Sequence, residues 1–208
     1  MKKIVFLLAG LFYANASVFA QSEAETAIKE ALDAVKSQKW SSASTALQTA
    51  ILEINNKIAE ELGKALPAPL KDWTEESSNA VNQAGLAMLG GGTGAEKTYT
   101  ISTSKSEEDL NTTSTVKISV VVNSPMMATM AMMINNPMMA GSMGKSVKIG
   151  GEKGFEKFEP ENNSHEITLV VGNNAVITIS GSDVKDKTSV TAYAQAIDFK
   201  KIKATLAE

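Results

Sequence analysis

The chain has 208 residues, a formal net charge of −3, one histidine, no cysteine and, among its 20 basic residues, no arginine. Disulfide frameworks, thiol catalysis and cysteine lipidation are thereby excluded. A nucleic-acid partner is disfavoured, because phosphate binding calls for a basic face and arginine is the preferred bidentate donor to phosphate and guanine.

The first 20 residues, MKKIVFLLAGLFYANASVFA, place two lysines ahead of an apolar run from Ile4 to Tyr13 and end on small residues, with Val18 at −3 and Ala20 at −1. That is the three-part layout of a secretory signal peptide. The run is about half the roughly 20 residues a membrane-spanning helix needs, so the protein is not expected to span a membrane. Cleavage before Gln21 is expected to deliver it to the periplasm or the medium, with no cysteine for a lipid anchor. The processed chain would carry 18 lysines against 23 acidic residues, a formal charge of −5.

Residues 21–66 predict an antiparallel helical hairpin. Ala24, Ala27, Ile28, Ala31, Leu32 and Val35 recur at three-four spacing; after a break at Gln38-Lys39-Trp40 the spacing resumes with Ala43, Ala46, Leu47, Ala50, Ile51, Ile54, Ile58 and Leu62. Such apolar stripes mark amphipathic helices. Ser41 and Ser42 are natural N-caps for the second helix, Glu53/Lys57 and Glu60/Lys64 supply i,i+4 pairs, and the alanines favour close approach. The hairpin resembles a single tetratricopeptide unit, but such arrays need about three repeats to close a core and the chain holds no second copy. The bland expectation is a hairpin packed on its own domain.

Pro67-Ala68-Pro69 ends the second helix, since proline lacks the donor and disfavours helix just before it. From there to residue 95 the chain reads as irregular linker, with Trp73 as its large anchor and Gly90-Gly91-Gly92-Thr93-Gly94 at its end.

Residues 96–208 read as an α+β domain. Strand-like alternation appears at Tyr99/Ile101, at Val116/Ile118/Val120/Val122, and at Ile167/Leu169/Val171; Gly172-Asn173-Asn174 then turns into Ala175/Ile177/Ile179. With two shorter strands near 146–149 and 153–158, this predicts an antiparallel sheet of five to six strands with one buried face. Val190, Tyr193, Ala194 and Ile197 form a helical stripe; Asp198 is placed to cap a last helix, with Ile197 and Ile202 as a hydrophobic staple. The C-terminal helices and a short methionine-rich crossover helix are expected to cover one face of the sheet.

The candidates for chemistry are few. His165 follows Glu159-Pro160-Glu161-Asn162-Asn163-Ser164 and is expected in an exposed turn. Glu107-Glu108-Asp109 and Glu159/Glu161 lie in polar turns, where charge runs are usually solvated. Gly141-Ser142-Met143-Gly144-Lys145-Ser146 imitates a phosphate loop but has Met139 where that motif needs glycine. No catalytic constellation emerges, so no enzymatic activity and no cofactor are expected.

The most distinctive stretch is Ser124–Gly141, SPMMATMAMMINNPMMAG, with seven methionines in eighteen residues. Ser124-Pro125 starts a helix and Asn136-Pro137 stops it. Flexible thioethers suit gap-filling in a core and equally suit an adaptable docking surface. The sequence thus predicts an interaction module binding a protein or hydrophobic ligand, with Met126, Met130, Met133, Met138 and Met139 as the surface. The alternative is soft-metal binding, Cu(I) or Ag(I), through Met127, Met130 and Met133.

Overall fold

The computed structural model describes residues 22–81, 92–103, 112–124, Thr129, Met132, 144–172 and 174–206. The chain divides into two compact units, Met1–Ala50 and Ile51–Glu208.

In the first unit, helix α1 spans Glu23–Lys36 and helix α2, Trp40–Gly63, begins. A capping box opens α1: the Ser22 hydroxyl accepts from the Glu25 amide while the Glu25 carboxylate accepts from the Ser22 amide, each at 3.2 Å. This pairs two N–H groups that the first turn cannot satisfy itself. The other end closes in a Schellman turn. Gln38 adopts φ 58°, its N–H donates to the Val35 carbonyl, and the Lys39 N–H reaches back to the Ala34 carbonyl, both at 2.9 Å. A left-handed residue at this position reverses the chain within three residues. The expected caps shift accordingly: Ser41 and Ser42 lie inside the first turn of α2, which already begins at Trp40.

Alanine forms the seam of the hairpin. Ala27 and Ala31 of α1 and Ala43 and Ala50 of α2 are buried, with Ala24, Ala34 and Ala46 half-buried in the same rows. Side chains this small remove little apolar area from water, so the hairpin gains less from burial than a leucine seam would.

The second unit holds the last part of α2, a seven-stranded antiparallel sheet and two C-terminal helices. The strands are β1 (Thr74–Val81), β2 (Thr93–Thr103), β3 (Thr112–Val122), β4 (Lys145–Ile149), β5 (Glu152–Glu159), β6 (Ser164–Val171) and β7 (Ala175–Ser182). Their spatial order is β1-β2-β3-β7-β6-β5-β4. Two up-and-down runs therefore meet where β3 lies beside β7, leaving β1 and β4 as edges. The count is seven, not five or six. The additional strand is β1, in the stretch expected to be irregular: TEESSNAV lacks the apolar alternation of a half-buried strand, yet it pairs along β2 with a register shift between Glu75 and Ser77. An edge strand needs only backbone pairing on one side, and a bulge with charges protects it from further pairing.

Alternation sets the main core. Val116, Ile118, Val120 and Val122 point the same way as Ile167, Leu169 and Val171 and as Ala175, Ile177 and Ile179, and all are buried. Helices α3 (Thr188–Gln195) and α4 (Phe199–Leu206) cover this face through Val190, Tyr193, Ala194, Phe199 and Ile202, joined by Leu62 at the end of α2 and by Ala65 and Leu66 just after it. Gly181 makes room for α3, since a Cβ there would meet the side chains of Val190 and Val184. Asp198 caps α4 by accepting from the Lys201 amide at 3.0 Å, with Ile197 and Ile202 buried on either side of the cap. The other face is not simply solvated: Val121, Val176, Thr168 and Phe155 are buried there too.

An aromatic cluster ties the proline segment after α2 to the sheet. Tyr99 stacks on Tyr193 with centroids 4.4 Å apart and donates its hydroxyl to the Pro67 carbonyl at 2.5 Å; Tyr193 meets the Trp73 ring edge-on at 5.5 Å. Burial holds the Tyr99 phenol protonated well above its usual range.

Candidate functional site

Each hairpin helix carries two apolar rows, not one. At 100° per residue, Ile28, Leu32 and Val35 lie about a quarter-turn from the Ala24, Ala27, Ala31, Ala34 row, and in α2 Trp40 and Leu47 lie a quarter-turn from Ala43, Ala46 and Ala50 in the same sense. In an antiparallel pair, equal rotations away from the seam bring both rows to the same side. The alanine rows are buried; the larger residues are not. Ile28 is 48% exposed, Leu32 52%, Val35 42%, Trp40 66% and Leu47 47%.

This gives the hairpin one apolar face. Its area is on the order of 500 Å², at the upper end of what a monomeric protein usually leaves to water. The opposite side is polar: Glu30 of α1 and Ser41, Ser42, Thr45 and Thr49 of α2 line a shallow open groove with Ala46. In the second unit's part of α2, Ile51, Leu52 and Ile54 are also exposed. The spacing made all these residues look like one buried stripe. What distinguished them was size: the alanines sit in one row and the branched and aromatic residues in the next.

A second cluster lies in the sheet. His165 is buried, 1% exposed, on β6 and not in an exposed turn. Its register position opposite Phe158 of β5 and Gly181 of β7 puts the imidazole on the helix-covered face. Nε2 is 3.0 Å from Glu156 Oε1, whose second oxygen accepts from Lys187 at 2.8 Å, and the Phe158 ring meets the imidazole edge-on at 5.5 Å. A carboxylate only accepts, so Nε2 carries the proton and Nδ1 is the bare nitrogen, buried without a hydrogen-bond partner. Burial pushes the His165 pKa down, against the pull of Glu156. Burial likewise pushes Glu156 up, but the Lys187 and His165 hydrogen bonds outweigh it and hold the carboxyl low. The imidazole is thus neutral, buried and held between the Glu156 carboxylate and the Phe158 ring, which is the environment of a structural histidine.

The acids at the nearby turn lie at the surface, and one of them is paired. Glu159 binds Lys157 at 2.6 Å, and Glu161 is exposed in a single 3-10 turn, Pro160–Asn162. Glu107, Glu108 and Asp109 lie outside the described residues, as do Met126, Met127, Met130, Met133, Met138 and Met139. Of the methionine-rich stretch, Thr129 and Met132 are described; both are helical, and Met132 is 74% exposed. Among the described residues no group of three or more His, Asp or Glu side chains could hold a metal ion, and no helix is long and apolar enough to cross a membrane. No protein-family model matches the chain, and neither a curated protein nor a solved structure resembles it at a significant level.

Proposed function

We infer that the protein is an exported, non-enzymatic interaction module that binds a protein or hydrophobic ligand through an apolar surface. The observation that carries this reading is the one-sided hairpin: Ile28, Leu32, Val35, Trp40 and Leu47 share a face and stay 42–66% exposed while the neighbouring alanines are buried. Keeping such residues in water is unfavourable by roughly 25 cal/mol per Å², so a stable partner recovers energy that folding left unused. The expectation of export rests on the layout of residues 1–20, and that of a non-enzymatic role on the single histidine, itself buried, and the absence of cysteine.

A photo-crosslinker tests the reading. Benzoylphenylalanine placed at Leu32, on the apolar face, is expected to form covalent adducts in intact cells, while the same group at Thr45, on the polar side, is expected to form few. Equal yields from both positions, or none from either, would refute it.

A further inference from the structure

We propose that the apolar face of the hairpin is occupied by the same face of a second copy of this chain, the two hairpins forming an antiparallel four-helix bundle in which α1 lies along its partner's α1. The inference rests on the interaction-surface reading above and names the occupant.

Charge order selects it. The row that borders the apolar stripe of α1 on the side away from α2 runs Glu25, Lys29, Asp33, Lys36, alternating in sign at spacings of four, four and three. These side chains are exposed, and the closest contact within the row is a loose surface pair between Lys36 and Asp33 at 3.7 Å. Laid parallel and in register on a copy of itself, the row sets like charge against like. Laid antiparallel about a centre between Glu30 and Ala31, it sets Glu25 against the partner's Lys36 and Lys29 against the partner's Asp33, and then the same two pairs again by symmetry. Flanking charges of this kind choose orientation and partner in helical assemblies.

The rest of the face obeys the same two-fold. Ile28, Leu32 and Val35 centre close to Leu32, little more than one residue from the same point. The corresponding border of α2 is uncharged, carrying Ser44 and Gln48, so α2 can lie along its copy without like-charge conflict. A two-fold pairing of this kind is self-complementary and closes on itself. An anionic membrane surface is the poorer occupant: residues 22–50 carry four acidic groups against three lysines and lack the basic face that such surfaces attract.

Sedimentation velocity of the purified protein, from micromolar to millimolar concentration, tests the proposal. The wild type is expected to be a dimer. The acidic-row variant Lys29→Glu/Lys36→Glu is expected to dimerise about tenfold more weakly or worse with an unchanged far-UV circular dichroism spectrum; the basic-row variant Glu25→Lys/Asp33→Lys, which also removes the Glu25 half of the α1 capping box, is expected to dimerise as weakly. Mixing the two is expected to restore the dimer as a heterodimer. That rescue separates charge pairing from loss of fold, and Leu32→Lys, which leaves the charge row intact, is a second route to the monomer. A wild type that stays monomeric throughout, or an acidic-row variant that dimerises as tightly as wild type, overturns the proposal. The photo-adducts at Leu32 keep the two readings apart. Adducts of twice the chain mass support self-association; adducts of another mass overturn it and leave the interaction surface standing; no adducts overturn both.

Discussion

Replacing Tyr99 by phenylalanine isolates a single buried hydrogen bond. The ring is fully buried and its stacking on Tyr193, 4.4 Å between centroids and 24° between planes, survives the substitution. What is lost is the donor to the Pro67 carbonyl at 2.5 Å, and Pro67 is itself buried. A typical bond contributes about 1 kcal/mol net, and an acceptor left unpaired in the interior costs about 1–3 kcal/mol, so the expected loss is about 2 kcal/mol. Tyr193→Phe is the internal control. Its hydroxyl accepts from the Leu70 amide across a longer 3.3 Å, and Leu70 is only half-buried, so water can replace the bond and the expected loss is under about 1 kcal/mol. The assay is urea unfolding followed by tryptophan fluorescence in a Trp40→Phe background, where Trp73 is the remaining tryptophan and touches Tyr193 edge-on. With a slope of about 2 kcal/mol per molar urea, the Tyr99→Phe midpoint is expected to fall by about 1 M. A Tyr99→Phe midpoint within experimental error of wild type, or a larger loss from Tyr193→Phe, would show that this bond does not anchor the proline segment to the sheet.

Three further outcomes follow from other parts of the fold. His165 has its pKa lowered by burial from 6.5, so protons bind the unfolded chain more tightly; stability is expected to be full above about pH 6.5 and to fall as pH drops toward the folded-state value. Glu156, also held below its ordinary 4.5, adds a loss of the same sign further into acid. Urea midpoints measured from neutral to mildly acid pH for wild type and His165→Gln check this, and a wild type that gains stability on acidification relative to the variant contradicts it. Gly150 and Gly151 form the two-residue turn between β4 and β5 with φ 59° and 91°, but a Cβ at Gly150 would strike the Phe199 ring while Gly151 faces open space. Gly150→Ala is therefore expected to lower the thermal midpoint by more than Gly151→Ala, the difference being about 1–3 kcal/mol of overpacking; equal losses would mean the ring gives way. Asp198→Ala removes the cap of α4 and is expected to cost about 1 kcal/mol in chemical denaturation, while Asp198→Asn is expected to retain most of the stability.

How much of the site was legible depended on what periodicity can encode. The three-four spacing from Ala24 to Val35 located α1 and its apolar side, and period-two alternation located β3, β6 and β7, because both patterns follow from the geometry of a single element. Neither pattern says which of two adjacent apolar rows meets the partner helix. That choice belongs to tertiary packing, which buries the alanine rows and leaves the larger residues in water. The exposed face of Ile28, Leu32, Val35, Trp40 and Leu47 was thus present in the sequence as residue size but read there as part of one stripe.

By itself the sequence determined the α+β class, the hairpin, the core strands, the cap at Asp198, and the absence of cysteine chemistry, since each depends on local spacing or on composition. Tertiary structure alone decided the rest. β1 is a strand because β2 offers it a backbone edge, not because TEESSNAV alternates. His165 is sealed, though it follows a polar turn, because the pairing of β6 with β5 and β7 turns its side chain toward the face that α3 covers. The order β1-β2-β3-β7-β6-β5-β4 joins segments more than fifty residues apart, and such pairing is set by which faces must be buried together, a property no window of neighbouring residues contains.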